Sequence, residues 1–280
     1  MSLAWMLVVL FAAALHASWN AIIKAGSDKF NDTVLVTIGA AIVPGFLLPW
    51  IPFPASASRP YLVASVVIHF GYFSLVALAY RSGDLSYAYP IMRGVAPLLT
   101  ALGTAAIIDE PLTTGGKTGI FLLSFGILTL TSDGWLRGKI GFAPTAIALT
   151  NAVVISIYTI VDGIGLRVAG DPVSYICWLL FLQPALLFPF ALLRHRKTFI
   201  AQLKRNWRAG LLGGLCTCSS YGLALYAMAY IPIALVAALR ETSVIFGTIM
   251  AAIFLRERFG PIRYVAAGLV TAGAIAMKVF

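Results

Sequence analysis

Apolar stretches of about 20 residues, each closed by a short charged or Pro/Gly turn, follow one another along nearly the whole chain. About 20 apolar residues is the length a helix needs to cross the hydrocarbon of a bilayer. With turns this short, the 280 residues hold about ten such helices and almost no soluble domain. The composition agrees: 60% of residues are hydrophobic, 11% are charged, and the mean hydropathy is +0.93. Soluble domains run near 45–50% apolar and about 25% charged. A disordered chain, a coiled coil, a disulfide scaffold and a soluble enzyme are therefore excluded in turn. The expected fold class is an all-α integral membrane protein of ten transmembrane helices, near 3–24, 33–53, 60–81, 85–107, 116–133, 141–163, 172–193, 208–229, 233–255 and 261–279. The eighth and ninth runs are separated only by Tyr230, Ile231 and Pro232. Pro232 cannot donate to a helix ladder and marks the turn. Residues 1–5 lack the basic stretch of a cleaved leader, so the first run is expected to stay as a helix.

The net charge of +10 comes from 20 Lys and Arg against 10 Asp and Glu. Most of the basic residues sit in turns between apolar runs, where they set topology rather than bind nucleic acid. Odd-numbered loops hold 14 of them, including Lys24, Lys29, Arg194, Arg196, Lys197 and Arg263; even loops and the C-terminal end hold Arg59, Lys117, Arg167 and Lys278. The positive-inside rule then places odd loops in the cytoplasm and both termini outside. Cys177, Cys216 and Cys218 lie in apolar runs, in a number and spacing that suit neither disulfides nor zinc.

A constant offset of 147 residues relates two parts of the chain: Arg93 falls on Arg240, Glu110 on Glu257, and Gly126 on Gly273. Two five-helix repeats follow, at 1–135 and 136–280. Five is odd, so the repeats cross the membrane in opposite directions. Inverted repeats are a common transporter plan, with the substrate near the midplane between them.

These repeats resemble the drug/metabolite transporter superfamily, EamA type. The first carries Ile108, Asp109, Glu110, Pro111 and Leu112, followed by Gly119 and Gly126. The second carries Phe254, Leu255, Arg256, Glu257, Arg258 and Phe259, followed by Gly268 and Gly273. Asp109 and Arg256 stand where the family usually has Gly, and Pro111 where it has Arg. The resemblance implies transport by a ten-helix protein of a bacterial inner membrane. It does not imply one substrate, because the family carries amino acids, sugars, nucleotide derivatives and drugs.

Within the helices, Arg93 and Arg240 stand out. An Arg at a helix centre costs roughly 2.5–3.5 kcal/mol on insertion scales. Each either pairs with an acid inside the bundle, for which Glu241 is the nearest candidate, or holds an anion in a central cavity. Tyr89, Arg93, Ala96 and Thr100 share one face of the fourth helix; Val236, Arg240, Ser243 and Gly247 share the equivalent face of the ninth. The first helix presents His16, Trp19 and Asn20 on one face. The sixth presents Asn151, Tyr158, Thr159 and Asp162, the last close to a helix end. His69 with Tyr72 on the third helix is a proton relay or a packing pair. Substrate-binding candidates are therefore Arg93, Arg240, Trp19, Asn20, Tyr89, Tyr158, His69, Tyr72 and Glu241, with Glu110 and Glu257 as capping or loop-pairing residues.

The reading this supports is a secondary transporter, an exporter by the family's habit, of a small organic anion or zwitterion such as an amino acid. Cationic-drug efflux is the alternative, weakened because the first helix has no carboxylate. A lipid scramblase or membrane-embedded enzyme is the alternative of another class, but no nucleophile elbow and no metal-type cluster is visible. No cofactor is expected. The expected partners are the substrate, the bilayer and protons as coupling ion, in a monomer or homodimer.

Overall fold

A computed structural model describes residues 1–82, 85–132, 141–255 and 260–279. Among these there is no strand. The helices are α1 (Leu3–Ala25), α2 (Lys29–Leu47), α3 (Arg59–Ser82), α4 (Leu85–Ile107), α5 (Thr114–Thr129), α6 (Phe142–Arg167), α7 (Pro172–Leu182), α8 (Pro184–Met228), α9 (Ile233–Arg240), α10 (Ser243–Leu255) and α11 (Pro261–Val279). Among the described residues, eight helical stretches are long and apolar enough to cross a membrane.

Local chemistry sets the helix starts. The Ser2 hydroxyl accepts the Trp5 amide, Asp28 accepts that of Asn31, Thr113 that of Gly116, and Asp171 those of Val173 and Ser174. Each cap satisfies amides that a first turn leaves without carbonyl partners. Pro172 and Pro184 stand at first positions, where a missing N–H costs nothing. Between α6 and α7 the chain reverses through Gly170 at φ +81°, a backbone conformation that residues with a Cβ rarely adopt.

The boundaries expected from the sequence hold to within a residue for α1, α3, α4 and α11 and move elsewhere. Pro232 caps α9 as anticipated. Residues 194–207, read as a loop, are helical, and α8 is bent by non-helical backbone at His195 and Asn206. That segment is held by the start of α2: Gln202 donates to Asp32 Oδ1 at 2.6 Å, and Arg205 donates to Gln202 at 3.0 Å. The ninth expected helix is broken at Glu241 and Thr242, where the ladder tightens to three-residue turns. Val236 and Arg240 therefore lie on α9 and Ser243 and Gly247 on α10, not on one continuous face. Glu257, Arg256, Arg258 and Phe259, with Arg137 and Lys139, lie outside the described residues.

The distribution of polarity is the reverse of a soluble protein. Phe46, Trp50, Leu102, Phe142 and Leu193 are exposed, while His16, His69, Arg93, Asn151, Asp162, Arg240 and Glu241 are buried. Such an apolar exterior suits lipid, not water. Two helix pairs cross with backbone in contact. In α2 and α8, Gly39 lies on Gly210 and Gly214; in α5 and α11, Gly119 lies on Gly273. A Cβ on Gly273 would stand 2.7 Å from the Gly119 carbonyl oxygen. Close crossings through small residues are how membrane helices gain dispersion contacts. Gly273→Ala should therefore destabilise by about 1–3 kcal/mol through overpacking, seen as a lowered midpoint in thermal unfolding of purified protein. Gly268→Ala, on the same helix but with open space around it, should leave that midpoint unchanged.

Candidate functional site

The break between α9 and α10 sets the centre of the molecule. Because α9 stops at Arg240, Arg240 and Glu241 stand at a helix end inside the bundle, facing α4 and α6. Discontinuous helices of this kind form the binding sites of many transporters. Glu241 does not pair with its sequence neighbour. Its Oε2 lies 2.8 Å from Arg93 Nε of α4, in a charge contact that is not aligned as a hydrogen bond. Arg93 Nη2 lies 2.6 Å from His16 Nε2 of α1. A guanidinium only donates, so His16 Nε2 accepts and the ring proton sits on Nδ1. Tyr89, one turn before Arg93, packs its ring 5.8 Å from the guanidinium carbon. Arg93 is 2% exposed and is held by an acid, an imidazole and an aromatic ring.

Arg240 differs. It is 6% exposed and stacks 5.0 Å over the Tyr221 ring of α8. Among the described residues no carboxylate or carbonyl accepts its hydrogen bonds, and its Nε is buried without a partner. The sequence offered Glu241 as the nearest acid for either arginine. The fold gives it to Arg93, because the turn at the end of α9 aims the carboxylate at α4.

Two cavities meet at Arg93. The larger, about 520 Å³, runs from Arg93 and Tyr89 past Trp19, Asn20, Tyr72 and Asn151 to Ile23 and Thr33, at the α1–α2 end of the bundle. The smaller, about 240 Å³, is lined by Arg93, Thr100, Tyr158, Thr159, Arg240 and Glu241. Arg93 and Arg240, matched by the 147-residue offset, thus line one space. Trp19 also packs edge-on against His16, and Asn20 donates to the His16 carbonyl of its own helix at 2.9 Å. His69 lines neither cavity. It is buried against Tyr158, 4.3 Å between ring centroids, and its Nδ1 lies 2.9 Å from the Ser65 carbonyl.

The far end is closed. Glu110 Oε1 accepts Arg167 Nη2 at 2.7 Å and Oε2 accepts the Ile233 amide at 2.8 Å, capping α9. Arg167 also donates to the carbonyls of Met228 and Ile231. Asp109, at φ 48°, turns the chain out of α4 just before Glu110. One carboxylate thereby joins α4, α6 and α9.

Sequence reasoning placed Asp162 near a helix end, at the interface. It is instead 0% exposed, because α6 continues to Arg167. Its carboxylate accepts hydrogen bonds from Tyr175 of α7 and Tyr221 of α8. The roles of Met92 and Phe73 as cavity walls were also missed; apolar residues on a helix give no sign of which face borders a void.

A multi-pass bundle with a charged, cavity-bearing interior is the architecture of a membrane transport protein. Residues 144–278 match the EamA-like transporter family, consistent with the drug/metabolite transporter superfamily, and this match suggests a membrane transporter of small molecules. The match covers the second half of the chain. The fold as a whole is similar to that of a solved crystal structure, with a TM-score of 0.75 at 19% identity over 98% of this chain and 94% of the other. No curated protein matches the sequence.

Proposed function

We propose that the protein is a secondary transporter, an exporter, of a small organic anion or zwitterion such as an amino acid, working by alternating access. The observation that carries this reading is Arg240: a buried guanidinium without a hydrogen-bond acceptor, on the wall of a cavity. Leaving such a donor unsatisfied is expensive in a low-dielectric interior, and a carboxylate is the ligand that matches it bidentately. Tyr158 and Tyr221 supply flat surfaces beside it for an apolar or aromatic substrate body. A cation is less suited, since no Asp or Glu lines the larger cavity.

Ten crossings fit the chain when the stretch Pro172–Met228 is divided. Its 57 residues would be far longer than a bilayer is thick if straight, and the bends at His195 and Asn206 divide it into two spans joined by a surface segment. With α5 as the short fifth span and α9–α10 as a broken ninth, the chain forms two inverted five-helix repeats, 1–135 and 136–280. The loop charges place both termini outside a bacterial inner membrane. The larger cavity then faces the cytoplasm, and the Glu110–Arg167 contact seals the outside.

Two experiments test this. Purified protein in liposomes should take up radiolabelled amino acids or carboxylates that stabilise it thermally. Movement of organic cations alone would overturn the substrate class. The outer seal should weaken in Arg167→Ala. A part-exposed ion pair contributes about 1 kcal/mol, so the outward-open population should rise roughly fivefold. The readout is labelling of a cysteine at Thr100 by a membrane-impermeant maleimide applied from outside; an unchanged labelling rate would show that this contact does not hold the gate.

A further inference from the structure

Asp162 is a buried carboxylate that the anion site does not use. The described ion pairs, Arg93–Glu241 and Arg167–Glu110, do not include it. It is held by hydroxyls from two other helices, Tyr175 of α7 at 3.1 Å and Tyr221 of α8, with Ser65 of α3 beside it. The titratable groups facing it are these two tyrosines, His69 of α3 and Tyr158 of its own helix. The cations Arg240 and Arg93 line the cavity beside Tyr158, and Arg240 stacks on Tyr221. A buried acid without a cationic partner is costly in the membrane as an anion, and it is easily satisfied when neutral.

The hydrogen-bond directions around it define a route. A carbonyl only accepts, so the 2.9 Å contact with the Ser65 carbonyl puts the His69 proton on Nδ1. The same Nδ1 lies 3.1 Å from Ser65 Oγ, which leaves the Ser65 hydroxyl proton free to point at Asp162. His69 Nε2 is then the open acceptor.

We infer that Asp162 is a proton-binding site, loaded from His69 through Ser65, and that Tyr221 links its occupancy to the Arg240 anion site. Its purpose as a coupling site rests on the transporter reading above. In the loading step a hydronium ion reaching His69 gives a proton to Nε2 and leaves as water, the Nδ1 proton passes to Ser65 Oγ, and the Ser65 hydroxyl proton passes to the Asp162 carboxylate. The carboxylate becomes a carboxylic acid, and His69 is left as its other neutral tautomer; no other bond changes. The protonated oxygen now donates back to Ser65 Oγ, and the neutral acid is a weaker acceptor than the carboxylate, so the Tyr221 hydrogen bond weakens and the ring under Arg240 is held less firmly.

The test needs no substrate. Full-length protein in lipid nanodiscs, in choline chloride, is titrated between about pH 5 and 9 while infrared difference spectra follow the carboxylic acid C=O stretch. A band that grows as pH falls is expected. It should be lost in Asp162→Asn and kept in Glu241→Gln. In Tyr221→Phe it should move in frequency, because one hydrogen bond to it is gone; this variant covers the case in which Asp162→Asn does not fold. A pH-invariant spectrum, or a titrating band that survives Asp162→Asn, overturns the proposal. So does a band abolished by sodium chloride at fixed pH, which would make the site one for a metal cation. Failure of every carboxylate to bind would leave this titration intact, so the two readings fail separately.

Discussion

Arg240→Ala should abolish thermal stabilisation by the carboxylates or amino acids that stabilise the parent protein, while leaving the unfolding midpoint of the ligand-free protein close to its parent value. A hydrogen bond to a charged group contributes about 1.5–3 kcal/mol, so affinity should fall roughly 10- to 150-fold. The ligand-free protein loses little because Glu241 keeps its close ion pair with Arg93 when Arg240 is removed; the main loss is the packing of Arg240 on Tyr221. Removing an unsatisfied buried charge even offsets part of that loss. At about 100 times the dissociation constant a ligand stabilises by roughly 2.7 kcal/mol, which a thermal scan resolves readily, and a 100-fold weaker site loses nearly all of it. Unchanged stabilisation in Arg240→Ala would make this arginine structural and remove the main support for an anionic substrate. Arg240→Lys separates charge from geometry. A point charge without the planar fork should recover part of the affinity for a carboxylate, and all of it if the fork is not used.

The opposite pattern is expected at the pair between α4 and α9. Glu241→Ala leaves Arg93 and Arg240 buried with no acid between them, and breaking a buried pair in this way costs about 3–5 kcal/mol. Unfolding of the ligand-free protein, not ligand affinity alone, is the readout. The double variant Arg93→Met, Glu241→Gln removes both charges and should recover most of that loss, because the penalty lies in the orphaned ion more than in the pair itself. His16 sharpens the expectation. Its Nε2 accepts from Arg93, so in the double variant it loses that donor while Arg240 remains nearby. Equal stability of the parent and Glu241→Ala would show that Glu241 contributes no charge at the centre.

How much of this was legible in the sequence differs by scale. Hydropathy runs gave most of the spans, because a membrane imposes one length and one polarity on every crossing. The offset relating Arg93 to Arg240 pointed to the space both now line. What the sequence could not show was pairing. Glu241 beside Arg240 reads as its partner, yet a tightened turn aims the carboxylate at Arg93 from another helix. Asp162 read as interfacial because the apolar run around it fades before α6 does. Residues 194–207 read as a loop from their charge, but a helix lying against Asp32 and flanked by basic residues carries the same composition. Glu110 was read as a capping or pairing residue and does both: it caps α9 and pairs with Arg167. In each case the missing information was a contact between helices distant in sequence.

The glycine crossings have a mechanical consequence. Where Gly39 meets Gly214 and Gly119 meets Gly273, main chain lies on main chain, and there is no side chain to change rotamer. Each of these two helix pairs is therefore a stiff panel that translates and rotates whole. Compliance must reside in what lies between the panels: the interrupted α9–α10 segment, the turn at Asp109, and the polar contacts of α1, α4 and α6. On the transporter reading proposed above, a cargo that reorganises the arginines would act on the pliant part of the frame, and the panels would convert a small displacement there into an opening at the rim.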